Sequence, residues 1–262
     1  MTIPAAPSSR SDAGDAPTGP SVRHRVLVAA VVGVLVVAGC LAVVGWTEAR
    51  REVHVLCSLM SPGTPRAEVE RILGTARMLE LQPAGVPRVG VAPNTAPATA
   101  PGLRFTAPAT LRTAACDVEL GGTGVVGSTL TPGVALDRVA AIGAAGLFLY
   151  LTLFQIGLAI GLVPGRLAWG GRHETLPTEL RRASALTAPL MPLLAWLLLE
   201  RAGVVDVVGA DGVIAAAAWA VPLLFVLSAA GNLASASPGE RRLGIPVTAA
   251  LVVLSVAVAY GG

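Results

Sequence analysis

The sequence predicts a membrane all-α helical bundle of about five transmembrane helices, with a small α+β extracytoplasmic domain between the first and second. Three observations predict it. The 262-residue chain is 53% hydrophobic and only 13% charged, with a mean hydropathy of +0.70, where a soluble domain carries about 25% charged residues. Five apolar runs approach the ~20 residues that a helix needs to cross a ~30 Å hydrocarbon core. Between the first and second runs the text changes: nearly half of all charged residues gather there, among Pro- and Thr-rich turns.

Residues 1–25 read as a cytoplasmic tail. Pro, Ala, Ser, Asp and Gly dominate its first 22 positions without apolar periodicity, which predicts disorder. Arg23, His24 and Arg25 close it. Transmembrane helix 1 is predicted over 26–46, long enough at ~1.5 Å per residue to cross the core. Trp46 at its far end suits an interfacial anchor. The extracytoplasmic domain is predicted over 47–138, and a four-helix transmembrane domain over 139–262, with spans at 139–163, 183–199, 213–233 and 245–260. Pro189, Pro192, Pro222 and Pro246 fall in these runs. A bundle tolerates them because neighbouring helices satisfy the freed carbonyls; Pro246 is expected near the first turn of the last span.

Arginine sets the expected orientation, since every basic residue is Arg and none is Lys. Arg10, Arg23 and Arg25 precede the first span. Arg166, Arg172, Arg181 and Arg182 lie in the 164–182 loop, and Arg241 and Arg242 in the 234–244 loop. The positive-inside rule places all three segments in the cytoplasm, and the C-terminus outside. Arg50 and Arg51 argue the other way, with Glu48 and Glu52 beside them. The Arg-only, Ala/Val/Gly-rich composition points to a GC-rich bacterial genome, hence a multi-pass protein of a bacterial plasma membrane. A net charge of +3 and ten aromatic residues give neither a basic patch nor a stacking platform for nucleic acid.

Val37-Ala38-Gly39-Cys40 fits the lipobox of bacterial lipoproteins, in which Cys40 would become a lipidated N-terminus. The competing reading is a cysteine inside a membrane helix. It is preferred because Leu41 to Trp46 continues the apolar run to full spanning length.

Within the external domain, Thr64 is expected to cap a helix over 66–73, with Pro65 at its first position and Gly74 as its stop. Val69, Ile72 and Leu73 give it an apolar face. Cys116, Val118 and Leu120 alternate with Asp117 and Glu119, which predicts a half-buried strand. Gly121-Gly122 can turn it into a second strand over 124–130. Residues 81–110 are Pro-rich, with at most short edge strands such as Arg88–Ala92 and Leu103–Thr106. Cys57 and Cys116 are expected to form a disulfide, which a bacterial exterior permits; two free buried thiols are the alternative. His54 stands alone among the usual metal ligands apart from the cysteines, so no metal site or cofactor is expected.

The stretch Met60-Ser61-Pro62-Gly63-Thr64-Pro65-Arg66-Ala67-Glu68-Val69-Glu70-Arg71-Ile72-Leu73-Gly74 resembles the helix–turn signature of SmpA/OmlA-like domains: a Gly, a Thr or Ser cap, then E-V-x-x-x-L-G before a small sheet. The resemblance implies a binding or assembly module.

No charged residue lies well inside any predicted span, which counts against proton relays and cation channels. Gln155, Asn232, Thr152 and several Ser are the polar exceptions. Gly157, Gly161 and Gly165 recur every four residues, as in close helix packing. Two loops carry distinctive text: Trp169-Gly170-Gly171-Arg172-His173, running on to Leu176-Pro177, Leu180-Arg181 and Ser184, and Asn232, Ser235, Ser237 and Glu240-Arg241. Together they resemble a family of small, uncharacterised four-helix bacterial membrane proteins of actinobacterial type, over residues 139–260. That resemblance implies an architecture and no activity.

A small polar site at the cytoplasmic mouth of the bundle is therefore expected from Trp169, His173, Arg181, Asn232, Ser235 and Glu240. Arg181 or Arg182 would pair with Glu240, and His173 would approach Asn232 or Ser235. The competing reading is plain helix capping and topology marking. No catalytic triad, phosphate loop or dinucleotide fingerprint is present. The expected function is a non-enzymatic binding, sensing or assembly component, whose partners are the bilayer and another membrane or extracytoplasmic protein or a second copy. The alternative is a small transporter or permeation component for an uncharged solute.

Overall fold

The computed structural model describes residues 22–84, 102–209 and 211–262. The predicted strand Arg88–Ala92 and nearly all of the predicted tail lie outside the described residues. Five segments are helical, long and apolar enough to cross a membrane: Arg25–Leu59, Leu136–Ile160, Thr178–Arg201, Gly212–Ala234 and Pro238–Gly261. A four-stranded antiparallel sheet lies between the first and second in chain order.

Helix α1 (Val22–Leu59) is one helix of 38 residues. It contains no proline, so nothing interrupts its hydrogen-bond ladder at Trp46, where the predicted span ended. What changes there is the packing. Up to Val43 the helix leans on the bundle through Val36, Cys40 and Val43. Beyond it, Ala49, Val53, Leu56 and Cys57 form one stripe at helical spacing and, with Met60 just past the helix end, sink into the core of the α/β domain. Cys40 sits within this continuous helix as a free thiol.

The α/β domain packs α2 (Arg66–Leu73) and the end of α1 against one face of a meander. Its strands are β1 (Glu80–Ala84), β2 (Gly102–Thr106), β3 (Ala114–Leu120) and β4 (Val125–Pro132), in the order β1-β2-β3-β4. Phe105, Cys116, Val118 and Leu120 point into the core, while Glu119 faces out. Two expectations need correction. Leu103–Thr106 belongs to an interior strand, because β1 pairs along its free side. Thr64 does not cap α2; its hydroxyl donates to the Ser61 carbonyl in the preceding turn, and Pro65 occupies the boundary with no side-chain cap. Instead Gly63 N–H donates to Val125 O, and Val125 N–H donates to Thr64 O. Gly124 is required there, since a Cβ would lie 2.1 Å from the Thr64 carbonyl oxygen.

Cys57 and Cys116 form a disulfide, with 5.7 Å between their Cα atoms. It ties α1 to β3 across 59 residues of sequence, a closure that stabilises a domain by about 2–4 kcal/mol.

The bundle comprises α3 (Leu136–Ile160), α4 (Thr178–Thr187), α5 (Leu190–Arg201), α6 (Asp211–Ala234) and α7 (Pro238–Gly261). Helix α7 packs against α1, α3 and α6. Phe148, Leu198, Leu251 and Val258 are fully buried at the centre. Outer faces stay apolar and exposed, as at Leu149, Leu153, Leu223 and Leu227.

Three further expectations change. Gly157, Gly161 and Gly165 do not share a helix face. Gly161 adopts φ +83° and ends α3, with Leu162 N–H donating to Gly157 O and Gly161 N–H to Leu158 O, the paired bonds of a Schellman cap. The third span begins earlier than 183 and comprises α4 and α5. Pro189 and Pro192 lack the N–H groups that would reach Ala185 and Ala188, yet Ala188 and Pro189 keep helical dihedrals, so the axis continues across the gap. The last helix begins at Pro238, seven residues before Ile245, with Ser237 accepting from Glu240 N–H. Pro246 is therefore interior. Ser237-Pro238-Gly239-Glu240 has a cap, a first-turn proline and an acidic third residue, a start signal present in the sequence.

Candidate functional site

The site builds on the loop between α3 and α4. Trp169, Gly170 and Gly171 take φ values of 54°, 82° and 66°. Left-handed backbone costs a residue with a Cβ about 1–2 kcal/mol, so Trp169 needs outside support. Its indole N–H donates to Ser184 Oγ at 3.0 Å. Gly170 N–H donates to Glu240 at 3.2 Å, and Ser237 Oγ donates to Arg166 O at 2.6 Å. Gly171 permits the contact, since a Cβ there would stand 2.1 Å from that of Ser237.

The Glu240 carboxylate also accepts from Ser235 Oγ at 2.5 Å. Arg241 donates to the Ser235 carbonyl at 2.6 Å. Asn232 lies directly on Gly244, where a Cβ would be 2.6 Å from its amide. Trp169, Asn232, Ser235 and Glu240 are thus brought together. The other two predicted members are not. Arg181 Nε donates to Ala159 O at 2.8 Å, meeting the carbonyl end of α3, where a cation is favoured; it does not pair with Glu240. The His173 ring is exposed and makes no hydrogen bond among the described residues. Beside it Arg166 and Glu174 form an exposed ion pair at 2.8 Å.

Above this cluster of backbone and hydroxyl contacts the helices frame a half-open cavity of about 660 Å³. Trp169, Gly170, Asn232 and Glu240 line one end. Leu151, Met191, Leu194, Phe225 and Val247 line the deeper part. Phe148 and Phe225 meet edge to face at 5.5 Å between centroids and close the core at depth. Gln155 also lines the cavity, and its Oε1 is buried without a hydrogen-bond partner. Gln155 was legible as a polar residue in an apolar run; that it shares a cavity with Asn232 was not, because that depends on how the helices assemble. Of the lining residues only Glu240 and Tyr150 can ionise. Among the described residues no three His, Cys, Asp or Glu side chains cluster to hold a metal.

The external domain has a shallower recess of about 460 Å³ between α2 and the sheet, with Val69, Leu73, Leu103 and Leu120 as its floor and Arg66 and Glu70 on its rim. Searches of protein-family models, of curated proteins and of solved structures found no match.

Proposed function

We propose that this chain is a non-enzymatic binding or sensing component of a bacterial plasma membrane, in which the external domain engages a partner and the bundle anchors and responds. The observation that carries the reading is α1. One helix supplies a wall of the bundle and a wall of the external core, so the two parts cannot reorient independently. Their junction is further bonded: Trp46 Nε1 donates to Val134 O at 3.3 Å, Arg50 to Pro132 O at 2.9 Å, and Tyr260 Oη to Glu48 at 2.6 Å. These bonds also give Arg50, and Arg51 over the Tyr260 ring at 5.7 Å, a structural reason to lie at the outer end of the span.

In this reading the N-terminus, the 164–182 loop and the 234–244 loop are cytoplasmic. The recess beside α2 is the partner surface, and the SmpA/OmlA-like resemblance points the same way. In-cell photocrosslinking from Arg71 and Glu119, both exposed, tests it. A reproducible adduct to one foreign protein is expected. Adducts to nothing, or to bulk protein without preference, would sink the partner-binding role.

The permeation reading for an uncharged solute has the cavity in its favour. Against it stands the packed layer of Phe148, Phe225 and Leu251. Proteoliposomes are expected to show no faster glycerol entry than empty vesicles.

A further inference from the structure

We propose that the bundle cavity binds a single-chain amphiphile with a neutral head rich in hydrogen-bond donors, of the monoacylglycerol type. The inference rests on the membrane placement above but not on an external partner.

The first argument is the distribution of polarity. Gln155, Asn232 and Glu240 lie within about two turns of the loop-side ends of α3, α6 and α7. Leu151, Leu194, Phe225 and Val247 lie deeper. A ligand that matches this has one polar end and one apolar end.

The second argument is the kind of polar end. In a bilayer, an acyl chain gains little by exchanging lipid for leucine, because lipid tails are as apolar as the cavity wall. Discrimination must come from the polar atoms. The Gln155 oxygen is a covered acceptor with no donor at the cavity wall, which a ligand donor reaches once the amide turns toward the cavity; leaving it unpaired is unfavourable in an apolar site. Glu240 adds carboxylate lone pairs, and both groups call for hydroxyl or amide donors. The same carboxylate repels an anionic head such as a fatty acid or a phosphate.

The third argument is the way in. Leu190 and Leu193 on α5, and Leu224 and Ser228 on α6, line the cavity and remain exposed. The cavity therefore communicates with the outer, apolar flank of the bundle. A molecule dissolved in lipid reaches that flank, whereas a water-soluble head alone does not.

The test uses the full chain in nanodiscs and a monoacylglycerol with a mid-chain diazirine. Mass spectrometry maps the adducts. Saturable labelling at Leu151, Leu194 and Phe225 is expected, displaced by monooleoylglycerol and at least tenfold less well by oleate. Gln155→Leu should weaken displacement by about tenfold, the worth of one hydrogen bond in an apolar site. Leu194→Trp, which fills the cavity and keeps every polar atom, should abolish labelling and covers the case in which the Gln155 variant does not fold. Non-saturable labelling of outward residues such as Leu149, Leu153 and Leu227 would reduce the cavity to ordinary lipid contact and overturn the proposal. Equal displacement by oleate would overturn the neutral head, and displacement by glycerol alone would overturn the acyl chain in favour of a free solute. A chain that fails to enter nanodiscs would instead refute the membrane placement.

Discussion

At the scale of single residues, the loop that closes the cavity depends on two adjacent glycines for different reasons. Gly170 has φ +82° with open space around a Cβ, whereas Gly171 has φ +66° with Ser237 in the way. Gly170→Ala should therefore cost only backbone strain, about 1–2 kcal/mol. Gly171→Ala adds a steric term of about 1–3 kcal/mol and should displace the start of α7. Thermal melting of the two variants in detergent checks the order; equal losses would show that Ser237 yields freely. On α2, Arg71 donates both its Nε and Nη2 to Glu68. That hydrogen bond holds the Glu68 carboxyl below its ordinary value of 4.5 and raises the Arg71 guanidinium. The pair's contribution is complete above that ordinary value and is lost as pH falls through the lowered one. Both groups are exposed, so the effect is small and screened by salt. A side-chain NMR titration should find Glu68 below 4.5 and see it return in Arg71→Met; an unchanged midpoint would remove the hydrogen bond as cause.

At the scale of elements, α1 makes the sharpest prediction. One alanine inserted after Trp46 turns everything beyond it by about 100°. The stripe from Ala49 to Met60 lies wholly on the far side of the insertion, so the external core and its disulfide should form as before. The bonds from Trp46 to Val134 and from Tyr260 to Glu48 should break, and the domain should swing relative to the bundle. Thiol assays with spin-label distances from Glu119 to Leu162 read the two effects separately. A reduced disulfide would mean that the domain cannot fold away from its seat. The elements also show what a linear text can carry. The helix–strand pattern of the external domain was legible because Val69, Ile72 and Cys116–Leu120 obey local periods of 3.6 and 2. The Cys57–Cys116 pairing was legible from compartment alone. β1 was not, since Gln82-Pro83 looks like loop and its pairing with β2 is set by partners 18 to 26 residues away. The glycine spacing misled because a left-handed residue at Gly161 stops a helix that spacing alone would prolong. The polar site was half legible: hydroxyl and amide residues clustered in two loops did meet, but the expected arginine pairing with Glu240 did not form, because Arg181 found a nearer acceptor at the end of α3 and Glu240 is met by Gly170 N–H and Ser235.

At the scale of the whole molecule, both ends of the bundle carry arginine, and the proposed orientation rests on the positive-inside rule. Arg50 and Arg51 are held by Pro132, Glu48 and Tyr260, and Arg201 reaches toward Ala259 O at 3.4 Å. At the opposite end Arg166, Arg181 and Arg241 are likewise held, while Arg172 and Arg182 are exposed and make no hydrogen bond or ion pair among the described residues, so in the proposed orientation they would be available to the surface potential of a cytoplasmic leaflet. In a Cys40→Ser background, cysteines introduced as Glu119→Cys and Val207→Cys should react with a membrane-impermeant maleimide on intact spheroplasts. Arg172→Cys should react only after permeabilisation. The reverse pattern would invert the molecule, turn the disulfide-bonded domain inward, and place the Trp169–Glu240 cavity mouth at the outer surface. The proposed ligand would then have to come from the outer leaflet, and the arginine contacts would have to be explained as packing alone.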